Sequence, residues 1–140
     1  MTQQSNQVLN IADLDLRSPS NEGAEVEITR PDGSGTGVYI RVLGEQSETV
    51  ERFIVRKADE RAARIVEARL RDKSAGDTGL VSARVVLDDE IESATVRTAG
   101  WRGLSEPYTE DNARKLFTLN RLIARQVIAA SQDEALFMKA

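Results

Sequence analysis

The sequence predicts an α+β fold, with an N-terminal antiparallel β-hairpin followed by a mainly helical C-terminal part. Two patterns support this fold class. Apolar and polar residues alternate over residues 24–29 and 38–43, on either side of a turn rich in Pro and Gly. From residue 47 onward, apolar residues recur every three or four positions, as in helices with one buried face. The 140 residues suit a single domain, 1–140, with one hydrophobic core.

The residues before the hairpin carry weaker signals. Met1 to Gln7 are polar, and we expect a frayed end. Residues 8–16 contain enough apolar side chains to dock on the domain, whereas 18–23 has the composition of a loop. The hairpin, 24–43, then places apolar side chains of its second strand on one face. Those side chains are Val38, Ile40 and Val42. An isolated hairpin is marginally stable, so this face needs a covering helix, and the next segment supplies one.

That segment, residues 47–73, is predicted to form a long basic helix. Ser47 is a suitable N-cap, and Glu48 and Glu51 suit the positive end of the helix dipole. The apolar residues at helical spacing are Val50, Phe53, Ile54, Ala58, Ala62, Ile65, Val66 and Leu70. At 1.5 Å per residue the helix would be about 35 to 40 Å long and would extend past the hairpin.

A helix over 80–99 is predicted next, after a loop at 74–79. Its apolar residues lie three or four apart and lead directly to Trp101. The stretch 80–87, LVSARVVL, also alternates as a strand would, so both interpretations stay open there.

The last predicted helices cover 109–130 and 132–138. Thr109 is a suitable N-cap for the first, which runs straight to residue 130 or breaks between residues 119 and 121. Ser131 and Glu134 have the spacing of a capping box, which favours a short terminal helix.

The composition argues against most enzyme chemistry. The chain has no Cys and no His, which removes thiolate metal sites, disulfides and the commonest general base. The acidic residues at 88–92 have no EF-hand spacing and are more typical of the first turn of a helix than of a Mg²⁺ or Ca²⁺ site. The glycines at 33–37 lack the Lys-Ser/Thr of a phosphate-binding loop and indicate a hairpin turn. We therefore expect no catalytic residue, no metal and no cofactor.

Charge and hydropathy bear on partners and compartment. Residues 52–73 carry eight basic and four acidic side chains, which could bind nucleic acid. The interleaved acids favour i,i+4 pairing along a solvated or partner-facing helix instead. No apolar run approaches the ~20 residues of a membrane helix, and the first thirty residues lack a signal-peptide core. We expect a cytoplasmic protein without membrane contact.

A family resemblance lies in the C-terminal half. The motif runs Trp101-x-Gly103, a short polar loop, Tyr108-Thr109-x-x-Asn112-Ala113-x-x-Leu116-Phe117, and a terminal Leu136-Phe137-Met138-Lys139-Ala140. This order resembles the tail assembly chaperone family of siphophages. The resemblance implies a protein without catalytic activity that binds the hydrophobic phage tape measure protein before the tail tube polymerises around it. It also implies a location in the cytoplasm of the infected or lysogenic bacterial host.

Seven residues are the candidates for this role. Apolar residues at the chain end either fold back or contact another chain, and Met and Phe suit adaptable binding surfaces. The predicted partner-binding residues are Phe117, Leu136, Phe137 and Met138. The predicted structural anchors are Trp101, Tyr108 and Asn112, with Trp101 near the junction of the helices.

Two other functions remain open from the sequence. One is a structural virion protein of the tail or head-tail connector, which would persist in the particle by forming a homo-oligomer. The other is a small nucleic-acid-binding regulator, which rests only on the basic helix.

Overall fold

The computed structural model describes residues 8–71 and 83–138. A three-stranded antiparallel sheet in the order β1-β2-β3 packs against a layer of helices. The elements are α1 (Arg17–Glu22), β1 (Ala24–Thr29), β2 (Gly35–Val42), α2 (Glu48–Arg71), α3 (Ala83–Val96), β3 (Thr98–Arg102), α4 (Glu110–Leu119) and α5 (Arg121–Ser131). The predicted α+β class, with an early hairpin and a mainly helical remainder, is confirmed.

The predicted hairpin is formed by β1 and β2, which pair antiparallel with Val26 opposite Ile40. In the turn, the Asp32 carboxylate accepts a hydrogen bond from the Ser34 amide at 2.9 Å. The glycine-rich segment is therefore a hairpin turn, as predicted. Side chains alternate between the two faces of the sheet, and the inner face is the apolar one. Its fully buried residues are Ile28, Ile40 and Val42.

The outer face of the sheet carries charged side chains that link all three strands. The Arg102 guanidinium on β3 lies over the Tyr39 ring of β2, 4.0 Å from the ring centroid. Its Nε donates to Glu25 Oε2 of β1 at 2.9 Å. All three residues are partly or fully accessible, so this face is hydrated.

The third strand, β3, was not predicted from the sequence. The helix predicted over 80–99 is wrong at its C-terminal end, because α3 stops at Val96 and Thr98–Arg102 pairs antiparallel with β2. Trp101 lies opposite Ile40 in this ladder, so it belongs to strand β3. Residues 80–82 lie outside the described residues, while 83–87 is helical.

Helices α3, α4 and α5 cover the apolar face of the sheet. The core formed there contains Ile28, Ile40, Val42, Ala94, Ala113, Phe117, Ala124 and Val127. The expectation that the helix following the hairpin covers this face is wrong, because α2 packs mainly on α1 and α3. None of the helices in the described ranges is long and apolar enough to cross a bilayer.

The helix predicted over 109–130 breaks into α4 and α5 at Asn120, within the range where the sequence left a break open. Asn120 has extended backbone angles, and its side-chain oxygen accepts from the Leu122 amide at 3.0 Å. Asn120 therefore ends one helix and caps the next. The predicted N-cap of α4 is confirmed, since Thr109 Oγ1 accepts from the Asn112 amide at 3.0 Å.

Ion pairs join α2 to α3. Lys57 Nζ lies 2.7 Å from Glu92 Oε1 and 3.0 Å from Asp89 Oδ1, and Arg56 Nη2 lies 3.0 Å from Glu92 Oε2. The acidic cluster was predicted to form a helix first turn, but α3 begins at Ala83, so these acids lie in its middle. The predicted N-cap of α2 is confirmed, because Ser47 Oγ accepts from the Val50 amide at 3.2 Å. The predicted end of α2 at 73 lies outside the described residues.

The N-terminal expectations need two corrections. Residues 18–23 were predicted as a loop, but Arg17–Glu22 forms α1, and the Asp15 carboxylate accepts from the Ser18 amide at its start. Residues 8–16 were expected to dock, yet Val8 and Ile11 are 95% and 94% exposed. The frayed end predicted for residues 1–7 lies outside the described residues.

The C-terminal prediction is also corrected. Instead of a helix over 132–138, the chain forms one 3-10 turn at Glu134–Leu136. Asp133 caps this turn by accepting from the Ala135 amide at 3.2 Å. The predicted capping box is wrong, because Ser131 ends α5 and its Oγ accepts from Arg97 Nε at 3.1 Å.

Arg97, between α3 and β3, is the most buried charged residue that the structure describes, at 3% exposed. Its Nη2 donates to Glu45 Oε1 at 2.7 Å, and its Nη1 donates to the Ser93 carbonyl and hydroxyl oxygens. With the bond to Ser131, one guanidinium connects the segment before α2, the end of α3 and the end of α5. A buried cation needs such partners, because desolvation disfavours the unpaired charge.

Candidate partner-binding site

The loop between β3 and α4 is held against the strand by two aromatic side chains. Trp101 and Tyr108 pack edge to face, with ring centroids 5.3 Å apart and ring planes at 88°. Trp101 Nε1 donates to the Glu106 carbonyl oxygen at 3.0 Å, and the Tyr108 hydroxyl donates to the Thr98 carbonyl oxygen at 2.8 Å. Each aromatic residue therefore fixes backbone of the other's segment.

Two further contacts fix the same loop. Asn112 Nδ2 donates to the Pro107 carbonyl oxygen at 2.9 Å, so the first turn of α4 is bonded to the loop before it. Gly103 has φ +94°, and a Cβ at this position would collide with the Gly37 carbonyl oxygen of the hairpin. Only glycine combines that backbone angle with so close an approach. The predicted anchors Trp101 and Asn112 thus hold a rigid loop.

A small apolar cleft opens between this loop and α4. Its walls are Trp101, Leu104, Leu116 and Leu119, and its rim carries Glu106, Asn112 and Lys115. We call this the Trp101 cleft. Trp101 and Leu116 contribute to the hydrophobic core with one side and to the cleft with the other. Leu119 lies at the edge of the cleft and is 76% exposed. Exposing so large an apolar side chain to water is unfavourable in free energy.

The polar rim gives the Trp101 cleft charges of both signs. The Ser105 hydroxyl donates to Glu106 and lowers the pKa of that carboxyl, with a smaller contribution from the Lys115 charge. Burial raises the pKa of the Tyr108 phenol, and the Glu110 charge adds to the effect. The rim therefore carries the acidic Glu106 and the basic Lys115 around an apolar floor. Such a site can hold an apolar side chain and orient its flanking polar groups.

The structure separates the four predicted partner-binding residues. Phe117 is fully buried in the core and Phe137 is 3% exposed, so neither lies on an accessible surface. Phe137 folds back beside Leu16 and Ser20. Of the two possibilities left open for the chain end, folding back or contacting another chain, Phe137 therefore follows the first. Leu136 and Met138 are 43% and 44% exposed, but neither lines the Trp101 cleft.

Sequence reasoning missed Leu104 and Leu119. Leu119 lies off the helix face that carries Ala113 and Phe117, next to Leu116, and immediately before the break at Asn120. The one signal in the sequence was a leucine at the end of a helix, at a position that does not belong to the buried face of that helix. Leu104 carried none, because a single leucine in a polar loop is ordinary.

Two cations of the basic helix, Arg56 and Lys57, pair with Asp89 and Glu92 of the acidic cluster. Lys57 donates hydrogen bonds to Glu92 and to Asp89, and these bonds raise the pKa of Lys57 against the lowering effect of burial. Glu90 pairs with Arg121 and Arg125 on α5. Among the residues that the structure describes, no group of three or more acidic side chains is arranged to hold a metal ion.

Comparison with known proteins gives no relative. No protein-family model matches the chain, and no curated protein or solved structure is significantly similar to it.

Proposed function

We propose that this protein is a non-enzymatic assembly factor, similar to the phage tail assembly chaperones, that binds an apolar segment of a tape measure protein through the Trp101 cleft. The observation that carries the proposal is the exposed Leu119 beside Trp101, in a cleft whose lining includes Trp101, Asn112 and Leu116 of the motif that carries the family resemblance. On this proposal the protein acts in the cytoplasm of the bacterial host.

The chemistry of the cleft supports an apolar partner segment. Trp101, Leu104, Leu116 and Leu119 offer contact to aliphatic side chains, and covering Leu119 removes apolar surface from water at about 25 cal/mol per Å². A long tape measure segment with exposed apolar side chains would aggregate on its own. Binding to a charged protein that covers these side chains would keep the segment in solution.

The rigidity of the site also supports binding. Because Trp101 and Asn112 bond to carbonyl oxygens of the loop and Tyr108 bonds from the loop to β3, the cleft needs little ordering when a partner enters. A site that is already ordered loses less conformational entropy when the partner binds, and this strengthens binding.

The test is co-expression with the long tape-measure-like protein expected to be encoded nearby, followed by affinity capture and measurement of the partner's soluble fraction. Wild-type protein should retain the partner and raise its soluble fraction. Leu119→Asp should lose most of this retention, because a charge would replace the exposed wall of the cleft. Since Leu119 is mainly exposed, the variant should keep its circular dichroism spectrum and melting temperature.

Val86→Asp on α3 is the matched control. Val86 is 56% exposed and lies away from the Trp101 cleft, beside α2. It should retain the partner as the wild type does. Loss of retention in Val86→Asp with normal retention in Leu119→Asp would assign binding to the surface between α2 and α3 and contradict the proposed site.

Two other results would replace the proposed function itself. A structural virion protein would be found in purified particles, whereas a chaperone is absent from them. A nucleic-acid-binding regulator would bind DNA or RNA with an affinity that falls steeply with salt. The pairing of Arg56 and Lys57 with α3 acids disfavours this last function, because it leaves fewer cations for phosphates.

A further inference from the structure

A second surface lies on the outer side of α2. Three large apolar residues on this side are exposed: Val55 by 60%, Val66 by 56% and Leu70 by 75%. They recur at helical spacing on the side opposite the buried residues Val50, Phe53 and Ala68. The same side carries the exposed Ala62 and Ala63 between Val55 and Leu70. We call this strip, from Val55 to Leu70, the α2 face.

We infer that the α2 face pairs with the same face of a second copy of this chain, with the two α2 helices antiparallel. In this arrangement Val55 of one copy lies against Val66 and Leu70 of the other. Ala62 and Ala63 lie near the two-fold axis, where their small side chains let the helices approach closely. The inference does not depend on the proposed partner, because the α2 face and the Trp101 cleft share no residue.

The charges along α2 favour a second copy over an unrelated partner. The charged positions within about 70° of the centre of the α2 face are Glu48, Glu51, Arg52, Arg56 and Asp59 in the first half of the helix, a net charge of −1, and Arg69 in the second half, a net charge of +1. Antiparallel pairing places the acidic half of each helix beside the basic half of the other. Parallel pairing would place the two basic halves together and repel. The charges of the α2 face therefore match those of a second, antiparallel copy of the same face. A two-fold symmetric interface requires such self-complementarity.

The shape around Val55 fits the same arrangement. An open depression surrounds it, with walls from α1 and α2 that include Arg17, Glu51, Arg52 and Asp59. Arg17 is fixed there because its Nη1 lies 2.8 Å from Glu51 Oε1. Acidic groups in these walls can meet Arg69 of the second copy while its Leu70 covers Val55.

Light scattering coupled to size-exclusion chromatography tests the pairing. The wild type should elute with the mass of two chains. Val66→Asp should elute as a monomer, because a carboxylate would replace the apolar contact of Val66 with Val55 of the second copy. The matched control is Val86→Asp, since Val86 has the same 56% exposure but lies off the α2 face, and it should remain a dimer. Circular dichroism of both variants checks that α2 and α3 remain folded.

Cysteine cross-linking tests the direction, and the chain has no native cysteine to interfere. Ala62→Cys should form a disulfide-linked dimer under mild oxidation, because the two Cys residues lie near the axis. Val55→Cys should not, because the two positions lie about 16 to 22 Å apart along antiparallel helices.

Three results would overturn the inference. The first is a wild type that is monomeric at every concentration at which it stays in solution. The second is a dimer that persists unchanged in Val66→Asp, which would place the interface elsewhere. The third is cross-linking of Val55→Cys as efficient as that of Ala62→Cys, which would show parallel helices.

Discussion

The Tyr108 hydroxyl donates to the carbonyl oxygen of Thr98, ten residues earlier, at 2.8 Å. This bond ties the end of the loop before α4 to the first residue of β3. Replacement by Phe keeps the ring that packs on Trp101 but removes the donor. We expect Tyr108→Phe to lower the free energy of unfolding by about 0.5 to 1.5 kcal/mol, the usual value of one such bond. Urea denaturation measures it, and an unchanged midpoint would show that water replaces the hydroxyl.

Phe117 and Leu119 lie two residues apart on α4 and have opposite surroundings, fully buried and 76% exposed. Phe117→Ala should destabilise the protein by about 3 to 5 kcal/mol, because it removes a large core side chain and leaves a cavity. Leu119→Ala should change stability by less than about 0.5 kcal/mol, as surface substitutions usually do. Thermal melts of the pair provide the comparison. Similar losses in both variants would mean that Leu119 is covered in the folded protein.

Arg97 and Arg102 form ion pairs of nearly equal length, 2.7 and 2.9 Å, but only Arg97 is buried. Replacing each arginine therefore compares what a buried and an exposed ion pair contribute to stability. Arg97→Met leaves Glu45 and Ser131 without their donor, so we expect a loss of about 1.5 to 3 kcal/mol. Arg102→Met removes an exposed pair that solvent screens, so its effect on stability should be clearly smaller than that of Arg97→Met. Denaturant titrations at neutral pH measure both changes. Equal effects would contradict the structural role assigned to Arg97.

Glu90 predicts an acid-dependent loss of stability. Hydrogen bonding from Arg121 lowers the pKa of this carboxyl below its ordinary 4.5, and the Arg121 and Arg125 charges act in the same direction. Because the pKa of Glu90 is lower in the folded protein than in the unfolded chain, the ionised carboxylate stabilises the fold fully above pH 4.5. This stabilisation is lost as the pH falls from 4.5 through the pKa of the folded state. Glu90→Gln should therefore destabilise the protein at pH 7 and show a weaker decline in melting temperature below pH 4.5. Parallel pH profiles for variant and wild type would exclude this pair as a cause.

The sequence was sufficient wherever a segment's own pattern decided its structure. Alternation at 24–29 and 38–43 predicted the hairpin, and Ser47 and Thr109 marked the starts of two helices through side chains that now cap them. The sequence also allowed a helix break between residues 119 and 121, and the break lies at Asn120. Asn suits this position because it is unfavourable inside a helix and favourable as a cap.

The missed elements depend on contacts distant in sequence. Strand β3 was hidden because Thr98 continues the helical spacing of Ala94 and still donates its hydroxyl to the Ala94 carbonyl oxygen at 2.8 Å. Only pairing with β2, more than fifty residues away, makes Thr98–Arg102 a strand. The Trp101 cleft was missed for the same reason. Trp101 was correctly singled out, but its neighbour Leu119 becomes part of a site only when α4 packs beside β3.

The position of Trp101 gives the protein a built-in optical reporter. It is the single tryptophan of the chain, it forms one wall of the cleft, and its indole is neither fully buried nor fully exposed. Indole emission shifts to shorter wavelength when water leaves the ring. Filling of the cleft can therefore be followed by intrinsic fluorescence in the unlabelled protein, without a signal from any other tryptophan.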